Sequence, residues 1–279
     1  MLKKLFDFFI FTSLFIACCA VLMVYQAFLL FGLSFPPALY FFVFFGTVCS
    51  YNFHWYLTPP GPYHTFKLYW NFSNRKLHGV LFILSLVGAA VCALFLSRHL
   101  LWLFFTALFT FLYSAPKIPH PLFVSLRKIA VGKTIYLALA WTHVTAMLPL
   151  LIAAEHLLPV YVWYSINRLF FLYTVCIVFD RRDVEADRRA GIKSLVTALN
   201  EKGVDRLFWF SGVVVLVTGG ILGIWLPVPA VVILLVPSAV LALLYQQSKQ
   251  SHSDYLYYFL LDGLMALSAP LLILAKFAR

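Results

Sequence analysis

Three aspartates with helical spacing are the residues of this sequence best suited to chemistry. Asp180, Asp183 and Asp187 stand at positions i, i+3 and i+7. At about 100° per residue, their side chains fall within roughly 60° of one another on a helix. Three like charges on one stripe repel each other, so the arrangement favours a bound cation. Carboxylate oxygens suit Mg²⁺, which is often shared with substrate phosphates. The spacing therefore predicts a magnesium site.

The arginines around these aspartates allow a second interpretation. A solvated helix whose acidic residues are neutralised by neighbouring bases has the same composition, and charge runs usually form such faces. The bases concerned are Arg181, Arg182, Arg188 and Arg189. Glu185 lies roughly 140° from the start of the stripe, so it faces these arginines or water.

The rest of the chain has the composition of a membrane protein. It is 63% hydrophobic, 18% aromatic and 11% charged, with a mean hydropathy of +0.92. This excludes an ordinary soluble domain. Runs long enough to span a membrane are helices, because a helix satisfies its own backbone hydrogen bonds. The apolar runs are 9–33, 36–57, 79–97, 100–115, 134–153, 159–180, 205–226, 228–246 and 255–275.

These runs predict an all-α, polytopic membrane protein with about nine transmembrane helices around a central cavity. The chain, 1–279, forms a single domain, because no loop is long enough for a soluble one. The start, Met1-Leu2-Lys3-Lys4 before an apolar run, resembles a signal peptide. Its hydrophobicity continues to about residue 33, which is too long for one, so we expect a retained first span.

Lys and Arg residues set the expected orientation. All but four of the 21 fall on one side if the N-terminus is inside, and the four are Arg98, Arg168, Lys276 and Arg279. This asymmetry is a strong positive-inside signal. It predicts a multi-pass protein of a bacterial inner membrane, with the N-terminus and the Asp-rich helix cytoplasmic. The net charge of +11 then reflects orientation and phosphate binding, and no nucleic-acid partner is expected.

The Asp-rich segment resembles the second motif of the UbiA superfamily of intramembrane prenyltransferases. That motif reads D-x-x-D-x-x-x-D followed by a lysine, and the chain has Asp180, Asp183, Asp187 and Lys193. The resemblance implies Mg²⁺-dependent transfer of a polyprenyl group from a polyprenyl diphosphate to a lipophilic acceptor, aromatic or lipid, within the membrane. In the family, two Asp-rich motifs face each other across a cavity, and each helps to hold Mg²⁺ on the diphosphate.

The chain departs from the family pattern at the first motif, N-D-x-x-D. Asn52 matches the leading Asn, but Phe53 and Tyr56 replace the two aspartates. His54 lies between them, and the following loop, 58–78, contains no acidic residue. Half of the family's metal site is therefore missing, which describes a branch with a degenerate first motif. A single Mg²⁺, or direct capture by Lys and Arg, would then hold the diphosphate.

Several basic and polar residues are candidates for diphosphate binding. They lie at predicted cytoplasmic loop ends or take the place of the lost aspartates: Lys133, Lys193, Arg127, Lys128, Arg75, Asn52 and His54. For the Lys and Arg residues the alternative is topology alone, because bases at loop ends orient the protein. For Asn52 and His54 the alternative is that they are polar residues at the membrane interface, within an aromatic belt.

Asp262 is an ionisable residue inside the last apolar run. Such residues are costly in a membrane and by default suggest function. The alternative is an acid that takes part in helix packing, paired with His143 or Arg168.

Two function classes remain. The first is a prenyltransferase, and the second is a catalytically degenerate membrane protein of the same fold that binds or moves an isoprenoid or an anionic lipid. The missing first motif separates them. A CDP-alcohol phosphotransferase also uses spaced aspartates, but its D-G-x-x-A-R pattern is absent.

Overall fold

A computed structural model describes residues 1–34, 36–58, 65–118, 120, 123, 132–154, 156–189, 191–251 and 253–277. Throughout these ranges the secondary structure is helical, with no strand. The predicted all-α membrane fold is confirmed.

The helices, numbered in chain order, are α1 (Leu2–Phe11), α2 (Leu14–Phe31), α3 (Pro37–Leu57), α4 (Phe66–Ser73), α5 (Arg75–Phe95), α6 (Leu100–Ser114), α7 (132–153), α8 (Pro159–Arg189), α9 (Leu195–Ala198), α10 (Glu201–Leu222), α11 (Val228–Gln250), α12 (Leu256–Ala266) and α13 (Ser268–Phe277). Two of these helices contain π-helical turns, His143–Met147 in α7 and Leu256–Leu261 in α12.

Within the described residues, seven helices are long and apolar enough to cross a membrane, namely α2, α5, α6 with its flanking turns, α7, α8, α10 and α11. The pair α12 and α13, bent by 45°, counts as an eighth span if its two parts cross together. Helix α3, on the predicted run 36–57, is 21 residues long. At 1.5 Å per residue, it reaches about 31 Å, close to the thickness of the hydrocarbon core.

The first apolar run, predicted as one span over 9–33, is two helices. The chain breaks at Thr12 and Ser13, where Ser13 has a left-handed backbone with φ of 66°. The break leaves the Thr12 carbonyl to accept a hydrogen bond of 2.9 Å from the side-chain amide of Asn52 in α3. A tertiary contact therefore stabilises an interruption that hydrophobicity alone does not indicate.

The long helices form a closed ring. In order around it, α2 packs on α3, α3 on α6, α6 on α7, α7 on α8, α8 on α10, α10 on α11, and α11 on α13, which returns to α2. Helix α5 lies outside the ring against α3. The ring brings the C-terminal part of α8, the start of α7, the end of α3 and the start of α12 to the same end of the protein.

Helix α8 carries the Asp-rich segment without interruption. Its 31 residues extend about 46 Å, against a hydrocarbon core of about 30 Å, so the helix is long enough to reach past the apolar layer. The helix ends just before Gly191, whose positive φ of 68° suits the left-handed position that follows many helices. The amide of Ile192 donates back to the carbonyl of Asp187 at 2.9 Å.

Candidate functional site

Two of the three aspartates converge on one lysine. The ammonium of Lys133, at the start of α7, lies 2.7 Å from the carboxylate of Asp187 and 3.4 Å from that of Asp180. The hydroxyl of Thr134 donates a further hydrogen bond to Asp180. Both aspartates are buried. Because burying two carboxylates is unfavourable without a positive partner, the site already contains an internal cation.

The third aspartate has a different partner. Asp183 accepts a hydrogen bond of 2.9 Å from Nε of Arg182, and its side chain is 43% exposed. The Arg182 guanidinium also donates to the hydroxyl of Tyr258 at 2.6 Å and lies 4.0 Å from Asp254. The predicted stripe is therefore present on α8, but its members pair with two different cations, Lys133 and Arg182.

The donor set suits Mg²⁺ only in part. In the described part of the chain, no group of three or more His, Cys, Asp or Glu side chains is close enough to hold a metal ion. Asp180 and Asp187 nevertheless share one positive centre. Mg²⁺ is commonly held by one or two carboxylates together with waters and substrate phosphates. The two residues therefore fit a magnesium site that a phosphate group completes.

Asn52, at the position of the missing first motif, is used in packing. Its amide nitrogen donates to the carbonyls of Thr12 at 2.9 Å and Val48 at 2.8 Å. Its amide oxygen lies 2.7 Å from Nδ1 of His78, whose Nε2 lies 3.2 Å from the side-chain oxygen of Asn71 in α4. Since an amide oxygen can only accept, Nδ1 of His78 must be the donor to it. These contacts join α3, α4, α5 and the break between α1 and α2, and they leave no free donor on Asn52.

His54 lies two residues further along α3, in a partly buried position beside α6. Its Nδ1 is 3.3 Å from the hydroxyl of Ser114, and its ring stacks on Tyr113 with 5.0 Å between centroids. Three lysines interact electrostatically with its imidazole: Lys67, Lys117 and Lys133. The wall that lacks carboxylates is thus surrounded by positive charge.

The remaining basic candidates have separate positions. At the C-terminal end of α3, Nε of Arg75 donates to the carbonyl of Tyr56 at 2.8 Å. The guanidinium carbon of Arg75 lies 5.2 Å from the centroid of the Tyr56 ring. Lys193 is exposed just after α8. Arg127 and Lys128 lie outside the described residues. Of the basic residues proposed from sequence and described here, only Lys133 contacts the Asp-rich segment directly.

Asp262 is buried in α12 and interacts electrostatically with Lys67 and Arg182. The two pairings suggested by the sequence are not formed. Arg168 donates to the carbonyl of Met265 at 2.8 Å, and Nε2 of His143 is 3.0 Å from the hydroxyl of Thr106. Asp262 therefore belongs to the charged end of the helix ring.

Sequence reasoning missed a cluster that adjoins this site, made of Lys67, Arg182, Asp254 and Tyr258. In the sequence, Lys67 is one of the basic residues of the loop 58–78 that indicate the orientation of the protein. It begins a short helix, α4, whose N-cap Thr65 accepts from the amide of Leu68 at 3.3 Å. The available signal was the uneven polarity of 66–73, which is typical of a helix with one buried face.

Comparison with known proteins gives a consistent picture. The model of the UbiA prenyltransferase family matches residues 70–263. The apo structure of a UbiA homolog from Aeropyrum pernix K1 has 12% identity, covers 96% of this chain and 97% of its own, and has a TM-score of 0.56. A structure of digeranylgeranylglyceryl phosphate synthase has 14% identity, covers 99% of this chain and 100% of its own, and has a TM-score of 0.57. At these identities the structural likeness shows the fold alone. No curated protein matches the sequence.

Proposed function

Because the chain belongs to the UbiA prenyltransferase family, we propose that it transfers a polyprenyl group from a polyprenyl diphosphate to a lipophilic acceptor within the membrane. The acceptor is an aromatic compound or a lipid. The observation that carries this proposal is the convergence of Asp180 and Asp187 on one positive centre. A carboxylate pair held around a cation at the end of a membrane helix is suited to a metal–diphosphate complex.

Asp180 and Asp187 would hold Mg²⁺, and Asp183, the most exposed of the three, would have to leave Arg182 to join them. When bound, the metal neutralises negative charge that develops on the leaving diphosphate. Lys133 lies on the same carboxylates. Once it is displaced from them, its ammonium is placed to bind phosphate oxygens as a point charge.

The aromatic side chains beside the site have a role in the proposed reaction. Tyr113 stacks on His54 and interacts electrostatically with Lys133, Asp180 and Asp187. A ring in this position offers its π face to an allylic carbocation as the bond to the diphosphate breaks. The surrounding apolar helices exclude water, which would otherwise capture the cation.

The proposed orientation places the site on the cytoplasmic side of a bacterial inner membrane. The distribution of Lys and Arg supports this, because the exceptions to the positive-inside pattern are only four of the 21. A cytoplasmic site would also meet a diphosphate donor whose charged group stays in water while its chain enters the membrane.

The test is diphosphate release by purified full-length protein from labelled polyprenyl diphosphates of several chain lengths with Mg²⁺. We expect release by the wild type and a loss of at least about 100-fold in Asp180→Ala and Asp187→Ala, as for removal of other groups that stabilise developing charge. Glu185→Ala is the matched control, because Glu185 lies on the same helix with an 80% exposed side chain. It should retain full activity.

Wild-type protein that binds these substrates without releasing diphosphate would contradict the transferase and favour the second function, a membrane protein that binds or moves an isoprenoid or an anionic lipid. The feature that favours this alternative is the absence of carboxylates at the first-motif positions, Phe53 and Tyr56.

A further inference from the structure

Lys67 is a buried cation that forms no salt bridge within the described residues, although the carboxylates of Asp262, Asp254 and Asp183 attract it from a greater distance. The residue is 3% exposed. Its ammonium lies over three aromatic rings, at 3.2 Å from the centroid of Tyr258, 5.0 Å from that of Trp55 and 5.9 Å from that of Phe11. Aromatic faces attract a cation, but they replace only part of its lost hydration.

No carboxylate in the described part of the chain lies within 4.0 Å of this ammonium. Asp254 is near, but one of its oxygens accepts the backbone N–H of Lys67 at 2.7 Å, and the other faces Arg182 at 4.0 Å. One oxygen of this carboxylate thus holds the main chain of α4 in place, and no described residue accepts a hydrogen bond from the Lys67 ammonium. A buried ammonium with unused donors is arranged to receive an anion.

The position of Lys67 links it to both walls of the site. On one side, its partner ring Tyr258 accepts a hydrogen bond from Arg182, which binds Asp183 of the Asp-rich helix. On the other side, its partner ring Trp55 adjoins His54 on α3, where the carboxylates of the first motif are missing. The ammonium therefore lies beside the C-terminal part of α3, the segment that contains the first-motif positions Phe53 and Tyr56.

Several contacts hold helix α4 in place. Beyond the contact with Asp254, Phe11 packs against Phe66 and Trp70, with ring centroids 5.7 Å and 5.6 Å apart. Asn71 on the same helix contacts His78, with its side-chain oxygen 3.2 Å from Nε2 of the ring. A charge held on such a helix is preorganised, so little entropy is lost when it binds a ligand.

We propose that Lys67 binds the diphosphate directly, in place of a metal ion held by a first Asp-rich motif. The site then takes a single divalent cation, at Asp180 and Asp187, and the diphosphate lies between that cation and the Lys67 ammonium. This inference rests on the proposed function, because it takes a diphosphate as the anionic part of the substrate. A lysine is a suitable replacement because it carries a compact charge with three donors.

The first experiment measures binding of inorganic diphosphate to the purified full-length protein by calorimetry in EDTA, without any divalent metal. We expect wild-type binding that weakens about tenfold or more in Lys67→Met, as for loss of a hydrogen bond to a charged group. Lys67→Arg keeps the charge, so it should lose less affinity than Lys67→Met. Lys76→Met is the matched control, because Lys76 is an exposed lysine of the adjacent helix α5. The diphosphate affinity of this variant should equal that of the wild type.

The second experiment needs no variant, so it remains informative if Lys67→Met does not fold. Titration of the wild type with Mn²⁺ and diphosphate, followed by electron paramagnetic resonance, should saturate at one Mn²⁺ per chain. Two Mn²⁺ per chain would overturn the inference. So would equal diphosphate affinity of Lys67→Met and Lys76→Met, or no binding by the wild type in EDTA.

The experiments can contradict the proposed transferase and the proposed Lys67 anion site independently of each other. Metal-free binding that depends on Lys67, together with no release of diphosphate from any polyprenyl substrate, supports the anion site and overturns the transferase. Substrate turnover with unaltered metal-free binding in Lys67→Met supports the transferase and overturns the anion site.

Discussion

Lys133 donates a hydrogen bond of 2.7 Å to Asp187, a residue 54 positions later in the chain. The same ammonium is 3.4 Å from Asp180. The lysine thus occupies the space between the two carboxylates that we propose as metal ligands. Any divalent ion that binds there must displace it, so Lys133 is both a competitor of the metal and a potential ligand of the diphosphate.

The first prediction concerns this competition. In Lys133→Met, the affinity for Mn²⁺ without diphosphate should rise about tenfold, because the competing charge is gone. Diphosphate release should fall, because a phosphate ligand is lost. Lys202→Met, which alters an exposed lysine near the start of α10, is the control. A lower or unchanged Mn²⁺ affinity in Lys133→Met, measured by paramagnetic resonance, would argue against displacement.

The second prediction separates packing from binding at Asn52. Asn52→Leu should lower the free energy of unfolding by about 2–4 kcal/mol, because it removes three buried hydrogen bonds and leaves their partners unpaired. Thermal unfolding in detergent measures the loss. Diphosphate affinity of the folded fraction should be unchanged. Weaker binding at unaltered stability would instead support the sequence-based prediction that Asn52 contacts the diphosphate.

The third prediction is a pH dependence of metal-free diphosphate binding. Burial lowers the pKa of Lys67 to about 7, against opposing effects of Asp262, Asp254 and Asp183. Arg182 acts in the same direction as burial. The protonated lysine is the binding form, so its contribution is present below that pKa and is lost as pH rises through it.

The measurement is the ratio of wild-type to Lys67→Arg affinity between pH 6 and pH 8.5. The arginine stays charged over this range, and the comparison cancels the changing charge of the diphosphate itself. The ratio should fall with rising pH. A constant ratio would mean that the lysine does not lose its proton in this interval or does not bind the anion.

The fourth prediction tests the contact between α3 and α5, which supports the wall that carries His54. A Cβ atom at Gly88 would lie 2.8 Å from the ring of Phe45. Gly88→Ala should therefore destabilise the protein by about 1–3 kcal/mol through overpacking. Gly212→Ala is the control, because nothing lies within 4 Å of its added methyl group. Equal unfolding temperatures of the two variants would contradict the packing described here.

Much of the fold was predictable because hydrophobic length and helical spacing are local properties of the chain. The apolar runs give membrane helices, and α8 continues unbroken through Asp187, as the charge spacing indicated. The break at Ser13 was not predictable, because it depends on a hydrogen bond from Asn52, 40 residues away. Arg127 and Lys128, two of the proposed diphosphate ligands, lie outside the described residues, so their roles stay predictions.

The sequence by itself determined which residues can form a stripe on one helix, because residues at i, i+3 and i+7 share a face whatever surrounds them. It also determined family membership and the absence of carboxylates at Phe53 and Tyr56. Only the tertiary structure decided how the charges pair. Lys133 lies between two aspartates of α8, while no carboxylate of the described residues lies within 4.0 Å of the Lys67 ammonium. Such pairing depends on which helices the ring brings together, and that is fixed by packing over the whole chain.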